Sequence, residues 1–261
     1  MGHAEADGYD MQAVRRVYEG MAADYAVRFG AELREPDSDT EFLEAALADL
    51  PDGPVLDVGC GPAQVSGFLI RRGRTAIGID LAPGMLAAAA RLVPQAKLIA
   101  GDLLALPLRP ASCAGAVASY SLHHLPRHRL GAALTGLRRV LMPGGVLVVI
   151  THGGSGEEWL DLAGGRVALS TYSPDELASL LSECGLVPEL TRTRPPRPGE
   201  YQADKIRISA RLKRKGEVAD LRTIWCLGPR SGLWPETMLS HPGLAWRTWR
   251  SGTTSSASLR G

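Results

Sequence analysis

The chain predicts an α/β domain built on a parallel sheet, and three observations carry that prediction. Apolar runs alternate with helix-periodic stretches through its first half. The run Val55-Leu56-Asp57-Val58-Gly59-Cys60-Gly61-Pro62-Ala63 reads as a buried strand breaking into a glycine loop. Acids then close the next two apolar runs, Ile77-Gly78-Ile79-Asp80 and Ala100-Gly101-Asp102-Leu103. A sheet of this kind holds a nucleoside at its carboxyl edge.

Taken in order, residues 10–30 and 38–50 have helical patterns and precede the first strand at 54–58. Strands follow at 74–79, 96–100, 113–119 and 145–150, with helices at 63–72, 84–92 and 128–141 between them. Ser173-Pro174-Asp175-Glu176 is a capping-type start for a helix that runs to Cys184 and stops at Gly185. Strands at 186–192 and 204–211 complete the pattern. Thr151 to Tyr172 is too long for an ordinary connection, and at the carboxyl edge of a sheet such a segment reads as a lid or binding loop.

Gly59 and Gly61 let the backbone turn sharply and pass close to a ligand, where a side chain would take the ligand's volume. A dinucleotide loop requires a third glycine where Gln64 stands, which argues against a nicotinamide cofactor. Asp80 lies about twenty residues beyond the glycine loop, one helix and one strand away, which places its carboxylate level with a ribose. Two hydroxyls on one carboxylate are charge-assisted bonds of roughly 1.5–3 kcal/mol each.

These residues and spacings resemble a class I S-adenosylmethionine (SAM)-dependent methyltransferase of the small-molecule, type 11-like branch, across about residues 10–214. The departure is Ala63, where the commonest form of the loop has a third glycine. The resemblance implies a Rossmann-like seven-stranded mixed sheet in the order 3-2-1-4-5-7-6, strand 7 antiparallel, with helices on both faces. It implies that Asp57 meets the amino acid end of SAM and that Asp102 accepts from the adenine amino group, with the backbone of Leu103 beside it. Leu81, Met85 and Ser119 complete the implied cofactor contacts, Met85 under adenine or simply in the core. Residues 1–50 are expected to form a helical cap, 51–215 the SAM-binding core and 216–261 an irregular tail.

The amino-terminal stretch Tyr18-Glu19-Gly20-Met21-Ala22-Ala23-Asp24-Tyr25 resembles the family's tyrosines around a small-residue turn. Tyr18 or Tyr25 closes the site over the methionine carboxylate or sulfonium, or packs as a buried tyrosine. Ser119-Tyr120-Ser121-Leu122-His123-His124-Leu125 matches the stretch beside the methyl-transfer site. In-line attack needs the nucleophile about 3 Å from the methyl carbon, and a base matters only for a protonated acceptor. His124, with His123 beside it, and His152 in Thr151-His152-Gly153-Gly154 are the base candidates; a positioned base is worth about 10²- to 10⁴-fold. The alternative for each is a loop-positioning histidine. Trp159 reads as a stacking residue or as lid packing; Arg192 and Arg194 read as cleft-facing groups for an acidic acceptor or as solvated edge charges, and are left outside the site.

Lys plus Arg number 29 against 28 Asp plus Glu in 261 residues, so no global field recruits nucleic acid. Cys60, Cys113, Cys184 and Cys226 lack metal or disulfide spacing and read as reduced thiols, with no metal expected. The start, Met1-Gly2-His3-Ala4-Glu5, has no basic region leading into an apolar run, and no stretch reaches the roughly eighteen apolar residues of a membrane span. The sequence therefore predicts a cytoplasmic enzyme, monomeric or homodimeric, that binds SAM, releases S-adenosylhomocysteine (SAH) and methylates a small-molecule acceptor at oxygen, nitrogen or carbon. Its rivals are an RNA or protein methyltransferase and a SAM-binding regulator that transfers nothing. After Arg211-Leu212-Lys213-Arg214-Lys215 the chain loses periodicity, and its last segment holds Trp225, Trp234, Trp246 and Trp249. That tail is expected to be mostly irregular and without a catalytic role, the alternative being that its tryptophans dock onto the fold or a second subunit, and truncation after Lys215 is expected to leave cofactor affinity intact.

Overall fold

The computed structural model describes residues 9–33 and 37–214; the predicted tail and Cys226 lie outside them. Helix α1 (Met11–Phe29) starts where the Asp10 carboxylate accepts from the Gln12 amide, and α2 (Ser38–Ala46) starts on a reciprocal Asp37/Thr40 capping box. There follow β1 (Val55–Val58), α3 (Gln64–Arg71), β2 (Ala76–Asp80), α4 (Pro83–Leu92), β3 (Lys97–Ala100), β4 (Cys113–Ser119), α5 (Leu130–Val140) and β5 (Leu141–His152). Next come β6 (Glu157–Leu162), β7 (Gly165–Ser170), α6 (Pro174–Glu183), β8 (Leu186–Arg194) and β9 (Lys205–Leu212). Compared with the sequence prediction, the second helix stops at Ala46 rather than 50, and the fifth strand is longer at both ends.

The seven-stranded sheet has the order β3-β2-β1-β4-β5-β9-β8. With the β6–β7 pair set aside this is 3-2-1-4-5-7-6, and its last strand, β9, runs antiparallel to both neighbours, as expected. The chain turns outward in opposite directions from β1 and from β4, so the crevice beyond their carboxyl ends is the switch point of the fold.

Strand alternation divides the core between two faces. Leu56, Val58, Ala116, Leu147 and Ile208 point to one face, where α5 covers them with the buried stripe Leu130, Ala133, Leu134 and Leu137. Val55, Val117, Val148 and Ile150 point to the other, under Phe42 and Leu43 of α2 and Phe68 and Leu69 of α3. Asp57 shares the parity of Val55, and Lys205 and Arg207 alternate with Ile206 and Ile208, so these polar groups emerge on the α2/α3 face.

The segment expected as a long loop between residues 151 and 172 is instead a two-stranded hairpin, β6–β7, pairing Trp159 with Ala168. It turns on Gly164 and Gly165, both with positive φ, and these two lie hard against α1. A Cβ on Gly165 would stand 2.6 Å from the Cβ of Ala13, and Arg16 donates to the Gly164 carbonyl at 2.8 Å. Among the described residues no helix is long and apolar enough to cross a membrane.

Candidate active site

The glycine loop follows β1 directly. Gly59 (φ 64°), Gly61 (φ 49°) and Ala63 (φ 66°) all take left-handed conformations. Gly59 and Gly61 are needed for different reasons. A Cβ on Gly59 would stand 2.5 Å from the Cβ of Ser121, so protein packing rather than a ligand excludes a side chain there. At Gly61 nothing comes closer than 3.8 Å, and its open side faces a cavity.

Two acids fasten this loop. Asp80 accepts from the Gly61 amide at 2.8 Å and from the Ala82 amide at 2.9 Å. Asp57, 2 % exposed, accepts from the Ser66 amide at 2.8 Å and the Ser66 hydroxyl at 2.7 Å, which joins β1 to α3. Burial pushes the Asp57 carboxyl up to about 7 against the pull of those bonds, and it raises Asp80 as well. Asp102 caps the short 3-10 turn Leu103–Ala105 by accepting from the Leu104 amide at 2.9 Å.

All of the cofactor residues expected from sequence line one cavity at the switch point: Tyr18, Tyr25, Asp57, Gly59, Gly61, Asp80, Leu81, Met85, Asp102, Leu103 and Ser119. Met85 is both wall and core, buried with Ala22 and Ala82 beneath Tyr18 and Tyr25. His124 also lines this cavity; His152 does not. It lines a second cavity that shares Tyr18, Tyr25 and Tyr120 with the first.

The histidines have defined proton positions. His124 Nδ1 lies 3.0 Å from the Ala168 carbonyl of β7, an oxygen that only accepts, so Nδ1 carries the proton. Nε2 is left as an acceptor, and it receives the Tyr18 hydroxyl and His123 Nε2, the latter at 2.9 Å. Burial drives His124 down to about 4. His152 Nδ1 accepts from Lys205 Nζ at 3.1 Å, and burial with the Lys205 charge brings His152 down to about 4 also. Both rings are thus neutral at ordinary pH, with their lone pairs engaged by protein donors.

Several residues of the second cavity escaped the sequence reading. Tyr120 sits at φ 49°, a strained position for a bulky side chain, and lines both cavities. Arg194, left outside the site by the sequence analysis, takes the cleft-facing alternative, lining this cavity and gripping Glu200 with two bonds of 2.7 and 2.8 Å; Arg192 is exposed. Lys205 and Arg207 are each 2 % exposed, and Arg207 pairs with Asp39 of α2 and donates to Ser38. The available signal was that their strand alternates cations with Ile206, Ile208 and Ala210, a pattern that buries the cations once the strand is interior. Trp159 lines neither cavity; it packs against the core from the hairpin, with its indole N–H on Glu157.

Residues 55–145, which hold the glycine loop and the three acids, match the family described as "Methyltransferase domain". Over that stretch the chain is similar to class I methyltransferase domains. The chain is 34 % identical over 104 residues to an uncharacterized methyltransferase of Synechocystis sp., covering 40 % of this chain and 49 % of that one. It is 36 % identical over 133 residues to trans-aconitate 2-methyltransferase of Rhizobium meliloti, covering 49 % and 48 %. The chain spans about half the length of the curated relatives it matches. Its fold resembles the 1,6-didemethyltoxoflavin-N1-methyltransferase of Burkholderia thailandensis with a TM-score of 0.62 at 22 % identity, covering 77 % of this chain and 88 % of that one.

Proposed function

We propose that this chain is a SAM-dependent methyltransferase that acts on a small molecule at oxygen, nitrogen or carbon. The observation that carries the reading is that two cavities meet at Tyr18, Tyr25 and Tyr120. One is built from a glycine loop and acids at three strand ends, and the other is walled by aromatic side chains.

The first cavity suits SAM on the chemistry of its walls. Gly61 leaves open the space a Cβ would fill, Asp80 presents a carboxylate at ribose height, and Asp102 and Met85 flank the place for adenine. Asp57 suits the cationic amino acid end. SAM bound there supplies an activated methyl group and its leaving group. The chain's own residues hold and orient. Tyr18 is pinned by His124 at the boundary between the cavities, and α1 caps both of them. We assign His124 to positioning, since Tyr18 and His123 already take its lone pair, and we assign His152 to the acceptor side. In this reading residues 1–50 are the cap, 51–215 the core, and 216–261 a segment without catalytic duty.

The relatives support a small-molecule acceptor: the one from Rhizobium meliloti is named for trans-aconitate, and the Burkholderia structure contains 1,6-didemethyltoxoflavin and SAH. The test is calorimetric titration with SAM and with SAH, followed by methyl-transfer screening. Binding of both in the micromolar range is expected. Binding of neither removes the reading, and binding without transfer to any acceptor favours a regulator.

A further inference from the structure

Lys205 is a buried ammonium whose hydrogen-bond partners are all neutral, with Glu200, Asp39 and Asp204 attracting it only from beyond ion-pair distance. It is 2 % exposed and lines the second cavity, and its Nζ donates to His152 Nδ1 at 3.1 Å and to the Tyr201 carbonyl at 2.9 Å. An ammonium has three N–H donors, so one is left over. Among the described residues no carboxylate lies within 4 Å of it. The acids sharing this cavity are engaged elsewhere or lie at its rim. Glu200 is held by Arg194 and by the Arg197 amide, Asp39 by Arg207, and Asp37 by the α2 cap with Arg197 at 3.9 Å. Glu32 lines the same cavity from an exposed position, its carboxyl pushed up to about 7 by burial and by Asp39 and Asp37, and Asp204, just before Lys205, is exposed. A cation taken out of water without a paired anion is costly, and a bound anion offsets that cost.

His152 supplies a second donor beside it. Because Nδ1 accepts from Lys205, the neutral ring carries its proton on Nε2, and that N–H has no protein acceptor among the described residues and is not sealed from solvent. The surroundings are aromatic: the His152 ring lies 5.1 Å from that of Tyr120 and 4.9 Å from that of Tyr201 between centroids, tilted by 40° and 52°. Such walls receive a planar group.

We propose that Lys205 and His152 together hold the carboxylate of a small planar acceptor, which makes unsaturated or aromatic carboxylates the substrate class. This rests on the second cavity being the acceptor site of the methyltransferase read above. Lys205 supplies the charge, His152 Nε2 a directional bond, and the tyrosines aromatic walls beside the ring. Their spacing is set by the sheet, since His152 and Lys205 are direct partners across β5 and β9.

The probes are benzoate and benzamide, equal in shape and different in charge, titrated into the full chain with and without saturating SAH. Benzoate is expected to bind at least about tenfold more tightly than benzamide, as charge-assisted bonds require. Lys205→Met is expected to abolish that preference while leaving SAH affinity unchanged. Equal binding of the two probes by the wild type, or a preference retained in Lys205→Met, overturns the proposal. Should Lys205→Met fail to fold by circular dichroism, His152→Gln carries the test: a preference reduced about threefold or more supports it, and an unchanged one overturns it. Failure of the wild type to bind SAH removes the methyltransferase reading instead, and the benzoate preference is still read in the titration without SAH.

Discussion

The Tyr18 hydroxyl donates to Nε2 of His124, whose Nδ1 donates in turn to the Ala168 carbonyl. One imidazole thus ties the first helix, the loop after β4 and the β6–β7 hairpin together at the boundary between the two cavities. With the imidazole neutral and its proton on Nδ1 the tie runs from Tyr18 to Nε2; a second ring proton would reverse that bond, with the Tyr18 oxygen accepting, and would face the proton on His123 Nε2.

A double-mutant cycle measures that tie. Tyr18→Phe and His124→Ala, alone and together, are expected to show a coupling of about 1–2 kcal/mol in urea unfolding. Coupling indistinguishable from zero dismisses the contact. The pH dependence has a definite sign. His124 is held at about 4 in the folded chain against about 6.5 when unfolded, so its contribution is fully present above pH 6.5. It is lost as pH falls from about 6.5 toward 4, because the unfolded chain then binds a proton that the folded chain refuses. Asp57 titrates in the opposite sense, and so the quantity to compare is the stability difference between wild type and His124→Ala across that window.

Asp57 predicts a pH-dependent cofactor affinity. Burial holds its carboxyl at about 7, so below neutrality it is protonated and offers no charge to an ammonium group. SAH affinity is expected to rise between pH 6 and 8 by up to about tenfold per unit below the transition, and to lose that slope in Asp57→Asn. Calorimetry across pH reads both. A wild-type affinity flat over this range removes Asp57 from the amino acid end of the site.

Asp80→Ala is expected to weaken SAM and SAH by well over tenfold. The carboxylate is proposed to hold the ribose, and it also holds the Gly61 amide that shapes the loop. The conservative Asp80→Asn keeps one carbonyl oxygen for the loop amide and is expected to recover part of the affinity. An Asp80→Ala affinity equal to wild type removes the ribose placement.

The glycine loop offers a paired stability test. Gly59→Ala forces a Cβ to within 2.5 Å of the Ser121 Cβ at a positive φ, and should destabilise by about 2 kcal/mol or more in denaturant unfolding. Ala63→Gly relieves a left-handed alanine at φ 66° but loosens the unfolded chain. The two effects leave it neutral to about 1 kcal/mol more stable. If the two substitutions changed stability alike, the loop conformation described above would be wrong.

Much of the cofactor-side geometry was legible before any coordinates because it is local. Asp57, Gly59, Gly61, Asp80 and Asp102 each stand at the end of an apolar run, and a parallel sheet brings consecutive strand ends to one edge by connectivity alone. The sheet order followed from the same regularity. The hairpin was not legible, because the buried stretch Val167-Ala168-Leu169 does not alternate and its partner Glu157–Leu162 mixes acids with apolar residues while staying largely exposed. Its position depends on two glycines meeting α1 across the fold.

The sequence by itself determined the α/β class, the strand ends that meet at the switch point and the residues facing the first cavity, since periodicity and spacing are properties of the chain. Only the tertiary structure decided the second cavity. Lys205 and Arg207 are buried because β9 lies between β5 and β8, His152 is a donor because Lys205 stands opposite it, and Arg194 turns inward to meet Glu200. Each of these depends on residues far apart in sequence, where the environment that sets a proton position or a charge's partner does not exist until the chain has folded.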